Sequence, residues 1–203
     1  MQVIVFGAHP DDIEIGMGGT IAKYISLGHK VLAAVVTVPY GKDSRIDEAK
    51  RGAEILGCDI EVLDLDTSVL CQPRLLVKEF DNLINLLSPD VVFGHWNHDS
   101  HQDHVCIANA ILAATRKNNC SVYMYEQTIP GGIVPYGFKA QAYVDITDFI
   151  ELKVEATKMH KTPIGDGMSD LIEGLKGRSS YRGRQINVKY AESFELVKEI
   201  NII

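Results

Sequence analysis

The sequence has no apolar run long enough to cross a membrane. Its longest, Val31 to Val38, is interrupted by Thr37 and is less than half of the roughly 20 residues that a bilayer requires. It also lacks the basic stretch and extended apolar core of a secretion signal, since Met1 leads directly into the short run Val3 to Phe6 and then to two aspartates. The expected location is cytoplasmic. Basic charge is scarce as well: 20 Lys and Arg against 27 Asp and Glu leave −7 at neutral pH, a field that repels phosphate backbones and anionic headgroups. Nucleic acid is therefore not an expected partner. The four cysteines, Cys58, Cys71, Cys106 and Cys120, are dispersed and form no C-x-x-C pair, which argues against a disulfide framework and against a thiolate zinc site. Inert thiols are expected. Repeats, low-complexity tracts and a dividing linker are missing too. The 203 residues, 46% of them hydrophobic, are therefore expected to form one domain over 1–203, with its core in about 1–126 and a loop-rich C-terminal part completing a pocket.

What is present alternates in period. Val3 to Phe6 reads as a buried strand, Gly18 to Leu27 as a helix stopped by Gly28, and Lys30 to Val38 as a second strand. Arg45 to Leu56 is a helical pattern ended by Gly57, Ile60 to Leu65 a third strand, and Arg74 to Leu87 an amphipathic helix that stops before Pro89. Asp90 to Phe93, a helix over about His101 to Arg116, and Val122 to Tyr125 continue the series. Five strands separated by helices predict an α/β, Rossmann-like fold: a mostly parallel sheet with helices on both faces. Beyond Tyr125 the regularity fades. Ile129 to Phe138, with two prolines and three glycines, predicts a loop, and Ala142 to Ile146 predicts a strand. Asp148 and Glu151 have the spacing of a capping box for a helix through about His160. Thr162 to Gly183, with five glycines and Pro163, reads as a lid, and Tyr190 to Val197 as a last strand.

The chemistry-bearing residues concentrate in two places. His9-Pro10-Asp11-Asp12 follows the first strand, and the stretch from His95 to His104 follows the fourth, so five of the seven histidines fall at two strand ends. In a sheet of order 3-2-1-4-5, strands one and four are neighbours whose following loops diverge and open a crevice at the carboxyl edge. Topology alone would bring the two clusters together. Imidazole and carboxylate suit Zn²⁺, or Fe²⁺ and related divalent ions, and a catalytic site needs three protein ligands and one open position. His9 with one of the two aspartates supplies two ligands. His98, His101 and His104 recur every three residues and compete for the rest, and Asp103 is placed to orient a neighbouring imidazole.

Blander readings exist for each residue. Asp11 or Asp12 would serve as a helix cap, and His101 and Asp103 as solvated residues of a first helical turn. Gly16, Gly18 and Gly19 approach a dinucleotide loop, but Ile21 stands at the position of its last glycine.

His9-Pro10-Asp11-Asp12, continuing through Glu14, Gly16, Gly18, Gly19 and Thr20, together with His101-Gln102-Asp103-His104, resembles the LmbE-like (PIG-L) family of zinc-dependent de-N-acetylases. Arg45, Glu48, Ala49 and Leu56-Gly57, then Lys153, Ala156 and His160, and finally Ala191, Glu192 and Phe194 extend the likeness over nearly the whole chain. The resemblance implies that His9, Asp12 and His104 hold the metal and that Asp11 is the general base. It also implies a small-molecule N-acetylated sugar or sugar conjugate as substrate. His101, supported by Asp103, is then expected to stabilise the oxyanion and protonate the leaving amine. Arg45 is a candidate substrate contact, as are Arg178, Arg182 and Arg184 for hydroxyls or a phosphate. A homo-oligomer is compatible with all of this. Where the family commonly has His-x-Ser-Gln, this chain has His160-Lys161-Thr162-Pro163. Other functions on the same sheet are hydrolysis of a different amide or a phosphoester, or a non-catalytic scaffold that binds a sugar nucleotide.

Overall fold

A computed structural model describes residues 1–70, 72–127 and 136–200. Cys71 and most of the loop expected over Ile129 to Phe138 lie outside the described residues. In chain order the elements are β1 (Gln2–Gly7), α1 (Asp12–Ser26), β2 (Lys30–Val35), α2 (Lys42–Leu56), β3 (Asp59–Val62), α3 (Thr67–Leu70) and α4 (Pro73–Leu87). There follow β4 (Val91–His95), α5 (Gln102–Thr115), β5 (Ser121–Tyr125), β6 (Ala142–Asp145), α6 (Ile150–Thr157), α7 (Lys161–Ile164), α8 (Met168–Gln185) and β7 (Ala191–Lys198).

The strands form one sheet of order β3-β2-β1-β4-β5-β7-β6. Its first five are parallel in the expected 3-2-1-4-5 order, with Val3 opposite Val91 and Gly94 opposite Met124. β7 returns antiparallel between β5 and β6, with Tyr125 opposite Phe194. Alternation along β1 divides the core. Ile4 and Phe6 face a layer built with Leu76, Phe80, Ile107 and Ile111 of α4 and α5. Val3 and Val5 face Ile13, Met17 and Ile21 of α1, Leu56 of α2 and Ala156 of α6. Both faces of the parallel sheet are thus covered. Among the described residues no helix is long and apolar enough to cross a membrane, and no disulfide links Cys58, Cys106 and Cys120.

Three expectations are corrected. α1 begins at Asp12, six residues before the expected Gly18, because it is two helical pieces joined at Met17, whose φ of −148° and ψ of 27° break the helix. The second piece has its own cap: the Glu192 carboxylate accepts the N–H groups of Gly19 (3.1 Å) and Thr20 (2.6 Å), and the buried Lys153 ammonium pairs with it. Gly16, Gly18 and Gly19 allow close packing here; a Cβ on Gly16 would sit 2.4 Å from the Tyr125 ring and one on Gly19 2.7 Å from Ile146.

The segment expected as a lid is instead mostly α8. Three glycines inside the helix cost about 1 kcal/mol each, and tertiary contacts offset that cost. Leu175 is buried against Ile146, Ile150 and Val154, and a side chain on Gly183 would collide with the Lys189 backbone at 2.8 Å. The third correction concerns the capping box at Asp148. Asp145 accepts the Thr147 N–H instead (2.9 Å), while Glu151 pairs with Lys176.

Candidate metal centre

The carboxyl ends of β1, β4 and β5 meet at one cavity of about 560 Å³. His9, Asp11, Asp12, His101, Asp103, His104 and Gln127 line it together with Arg45, Tyr40 and Pro163. Its construction begins with the strand end. After β1 the chain turns sharply through Pro10, with the Asp12 N–H bonded to the His9 carbonyl (3.3 Å) and the Asp12 carboxylate accepting the His9 N–H (2.7 Å). The turn forces Asp11 to φ 114°, a value that non-glycine residues rarely adopt and that costs of order 1–3 kcal/mol. Asp11 stands at the N-cap of α1, yet its side chain makes no capping bond. Its carboxylate is left to the cavity.

Asp12 is the centre of the cluster. Around its two oxygens stand His9 Nδ1 (3.4 Å), His95 Nε2 (3.3 Å) and His104 Nε2 (3.3 Å), and the Gln127 amide donates at 2.8 Å. One ligand atom each from His9, Asp12 and His104 can be chosen so that all lie within 4.8 Å of one another, on three buried side chains. Two imidazoles and a carboxylate are a donor set suited to zinc or ferrous iron. Two further sets, His9 with His101 and Asp103, and His95 with Asp99 and His104, come equally close together. Of the three histidines in competition, His104 lies against Asp12, His101 lies at the cavity wall, and His98 packs on the Trp96 and Tyr136 rings.

The electrostatics suit a cation. Burial alone would raise the Asp12 carboxyl, but His104 and His95 beside it hold it well below the usual carboxylate range. Burial works against charge on His104, yet Asp12 and Asp99 lift it to about 10, so without metal this imidazole carries a proton that a divalent ion would displace. His9 is raised despite its burial, through Asp12 and Asp103. Asp11 is pushed up to about 7 by burial and by the Asp12 charge. His101 is lowered by burial and by the neighbouring His104 and His9.

The carboxylates behind the imidazoles are distributed differently from expectation. Asp103 Oδ2 lies 3.1 Å from His9 Nε2, while the Asp103 N–H donates to His101 Nδ1 (3.2 Å), making His101 the N-cap of α5. The residue that orients His104 is Asp99. One of its oxygens meets His104 Nδ1 at 3.0 Å, and the other accepts the His101 N–H at 2.9 Å. Asp99, His95 and Gln127 were not singled out from the sequence. His95 is fully buried, accepts the Ala8 N–H (2.9 Å) and stacks on His104 with ring centroids 3.9 Å apart. Burial and His104 lower it to about 4. The available signals were its membership in the histidine cluster and, for Gln127, its place just past β5 on the same sheet edge.

Two of the arginines expected to reach substrate are engaged within the protein. Arg178 donates to the carbonyls of Glu126 (2.7 Å) and Ile15 (2.8 Å), and Arg182 pairs with the Glu126 carboxylate (2.6 Å). Arg184 is exposed. Arg45 lines the cavity, but its guanidinium donates to the Pro10 carbonyl and lies under the Tyr40 ring. Behind it Glu48 accepts both the N–H and the hydroxyl of Thr162, which brings Pro163 to the cavity wall.

A family profile described as PIG-L, GlcNAc-PI de-N-acetylase, matches residues 4–115. Diacetylchitobiose deacetylase of Thermococcus kodakarensis is 28% identical over 98% of this chain and 84% of its own length. An uncharacterized deacetylase of Escherichia coli, YaiS, is 30% identical over 79% of this chain and 90% of its own. In structure the chain is similar to N,N′-diacetylchitobiose deacetylase from Pyrococcus horikoshii, with a TM-score of 0.81 and 24% identity, covering 97% of this chain and 83% of that one.

Proposed function

Because the chain belongs to the PIG-L family, we propose that it is a metal-dependent hydrolase that removes the acetyl group of an N-acetylated amino sugar or its conjugate, releasing acetate. The named activities of its relatives support the reaction class. The observation that carries the reading in this chain is the convergence of a buried two-histidine, one-carboxylate set with an uncapped aspartate at one cavity.

In this reading His9, Asp12 and His104 hold the ion, which we take to be zinc, a ferrous ion being compatible with the same donors. When bound, it supplies Lewis acidity toward the acetyl carbonyl and toward water. Asp11 receives the proton of the attacking water at its carboxylate, a contribution typically worth roughly 10² to 10⁴ in rate. Burial and the Asp12 charge push the Asp11 carboxyl up to about 7, and His160 and Arg45 nearby work in the other direction, toward the ionised form that a base needs. His101 also lines the cavity, its Nδ1 occupied by the Asp103 N–H, so Nε2 is the nitrogen left for the developing oxyanion and the leaving amine. Asp103 restrains His9, and Asp99 holds both the His104 ring and the His101 backbone.

The test is acetate release from a panel of N-acetylated sugars, including diacetylchitobiose, alongside phosphorylated sugars. Wild-type protein should release acetate, and a chelator should abolish it. Asp11→Asn should keep one zinc per chain while losing roughly 10² to 10⁴ in rate. Full activity in Asp11→Asn would remove the assigned base; release of phosphate instead of acetate would replace the reaction.

A further inference from the structure

The lining of the cavity changes character from its deep end to its mouth. At the deep end His9, Asp12 and His104 are ionisable and at most 9% exposed. The mouth is apolar: Tyr40 is 55% exposed there, with exposed Pro39 and half-buried Pro163 on the same cavity. Tyr40 and Pro163 come from segments far apart in the chain, and two contacts join them. Gly41, at φ 57°, follows Tyr40 and lies so near Thr162 that a Cβ on it would sit 3.1 Å from the threonine methyl. Glu48 of α2 accepts both the N–H and the hydroxyl of the same threonine. The neighbours of that contact in sequence, Tyr40 on one side and Pro163 on the other, are thereby set at the rim. An exposed tyrosine is ordinary by itself. This one is pinned, because the buried Arg45 guanidinium packs on its ring 4.6 Å from the centroid.

We propose that Tyr40, flanked by Pro39 and Pro163, is a stacking platform for an uncharged sugar ring linked to the acetylated one, and that it makes this chain selective for an oligosaccharide over a single sugar or a phosphate-linked conjugate. This rests on the reading of the cavity as a deacetylase site. A pyranose carries C–H groups on its faces and hydroxyls around its edge, so it packs a face on an aromatic ring while its hydroxyls stay in water. The prolines extend the apolar surface on either side and bring no side-chain donor of their own. Pro163 stands at the last position of the motif that is commonly His-x-Ser-Gln in the family, where a hydrogen-bonding amide would otherwise face the ligand. Charge speaks against a phosphate. Among the described residues that line the cavity, Arg45 is the one lysine or arginine, against the carboxylates of Asp11, Asp12 and Asp103. Because Arg45 already holds the Tyr40 ring, stacking on it costs little further side-chain freedom.

The test compares acetate release from N,N′-diacetylchitobiose and from N-acetylglucosamine by zinc-loaded protein. Wild type should favour the disaccharide in kcat/KM by about tenfold or more. Tyr40→Ala should cut that preference about tenfold, chiefly through a higher KM for the disaccharide. Tyr40→Phe should keep the preference, since the ring and not the hydroxyl carries the contact. Pro163→Gln should lower it by a smaller factor, about threefold, through the loss of apolar surface. A wild type without preference, or a Tyr40→Ala variant that retains it, would overturn the platform. An equal loss of kcat on both sugars in Tyr40→Ala would also overturn it, in favour of a role in holding the catalytic groups. Failure of the hydrolase reading is a separate outcome. If wild type releases acetate from neither sugar, that reading falls and diacetylchitobiose becomes an unreactive ligand whose binding is measured by calorimetry. Binding about tenfold weaker in Tyr40→Ala would then still support the platform, and equal binding would overturn it.

Discussion

Two clusters of buried charge lie side by side in this protein, and only one of them completes itself. Around β7, Glu192 is met by Lys153 and by two N–H groups of α1, Arg178 by two carbonyls, and Glu126 by Arg182 and the Ser193 hydroxyl. Each of these charges faces its opposite or a backbone dipole. At the carboxyl edge, three imidazoles crowd one carboxylate at 3.3–3.4 Å, and His95 Nδ1, Gln127 Oε1 and Arg45 Nε are buried without partners. The first cluster is a strut that fixes the broken helix α1 against the sheet. The second, at the tip of that helix, is an arrangement that a cation would finish, and it opens on a cavity. The lesson is that burial and charge alone do not mark a site; incomplete pairing beside open space does.

The comparison can be broken most severely at the strut. Lys153→Met should leave Glu192 charged and unpaired in the core and cost about 3–5 kcal/mol of stability. The double variant Lys153→Met/Glu192→Gln should recover part of that loss, because no unpaired charge is left in the core and the amide oxygen still accepts one of the two N–H groups of Gly19 and Thr20. Denaturant unfolding of the single and double variants checks both; a single variant as stable as wild type would mean that the strut bears no load. Zinc affinity should be nearly untouched wherever the fold persists.

At the other cluster the expected effect is smaller on stability and specific to the metal. Asp99→Asn removes the carboxylate charge behind His104 and should weaken zinc binding 10- to 100-fold, as loss of such supporting groups typically does. Competition titration with a chelating dye measures it. An unchanged affinity would show that His104 needs no orienting carboxylate.

The subtlest difference is in pH dependence, where the two clusters carry opposite signs. His104 in the metal-free protein is raised from 6.5 to about 10, so its stabilisation is full below about 6.5 and is lost as pH climbs toward 10. Lys153 is lowered from 10.5 to about 8 by burial, against the pull of Glu192. Between about 8 and 10.5 the unfolded chain therefore holds the extra proton, and this contribution rises with pH. Melting curves of metal-free protein should show the stability gap between wild type and His104→Gln shrinking from pH 7 to 10. The deficit of Lys153→Met should grow above about pH 8. Parallel curves would deny the distinction between the clusters.

How legible all this was depended on range. The two clusters, His9 to Asp12 and His95 to His104, could be read because they follow strand ends, and a doubly wound order puts the ends of β1 and β4 together, whereas the choice of Asp12 and His104 within them came from the family resemblance. The expected helix from Gly18 was half right, since the pattern captured the second piece of α1. The first piece, from Asp12, owes its shape to a break at Met17 that Glu192, 175 positions away, caps across space. Asp99 escaped notice because its partner, five residues on, is reached only when His101 starts a helix and folds the chain back. The glycines of α8 read as loop because local propensity is a weak guide where packing supplies the compensation.

The amino-acid order alone determined the alternation of strand and helix and the two histidine-rich turns, because these rest on hydrophobic period and on residue chemistry at short spacing. Only the tertiary structure decided which carboxylate orients which imidazole, which arginines are spent inside the protein, and where the antiparallel β7 enters the sheet. Those outcomes depend on directions and distances between groups dozens of residues apart, and these exist only once the backbone has closed on itself.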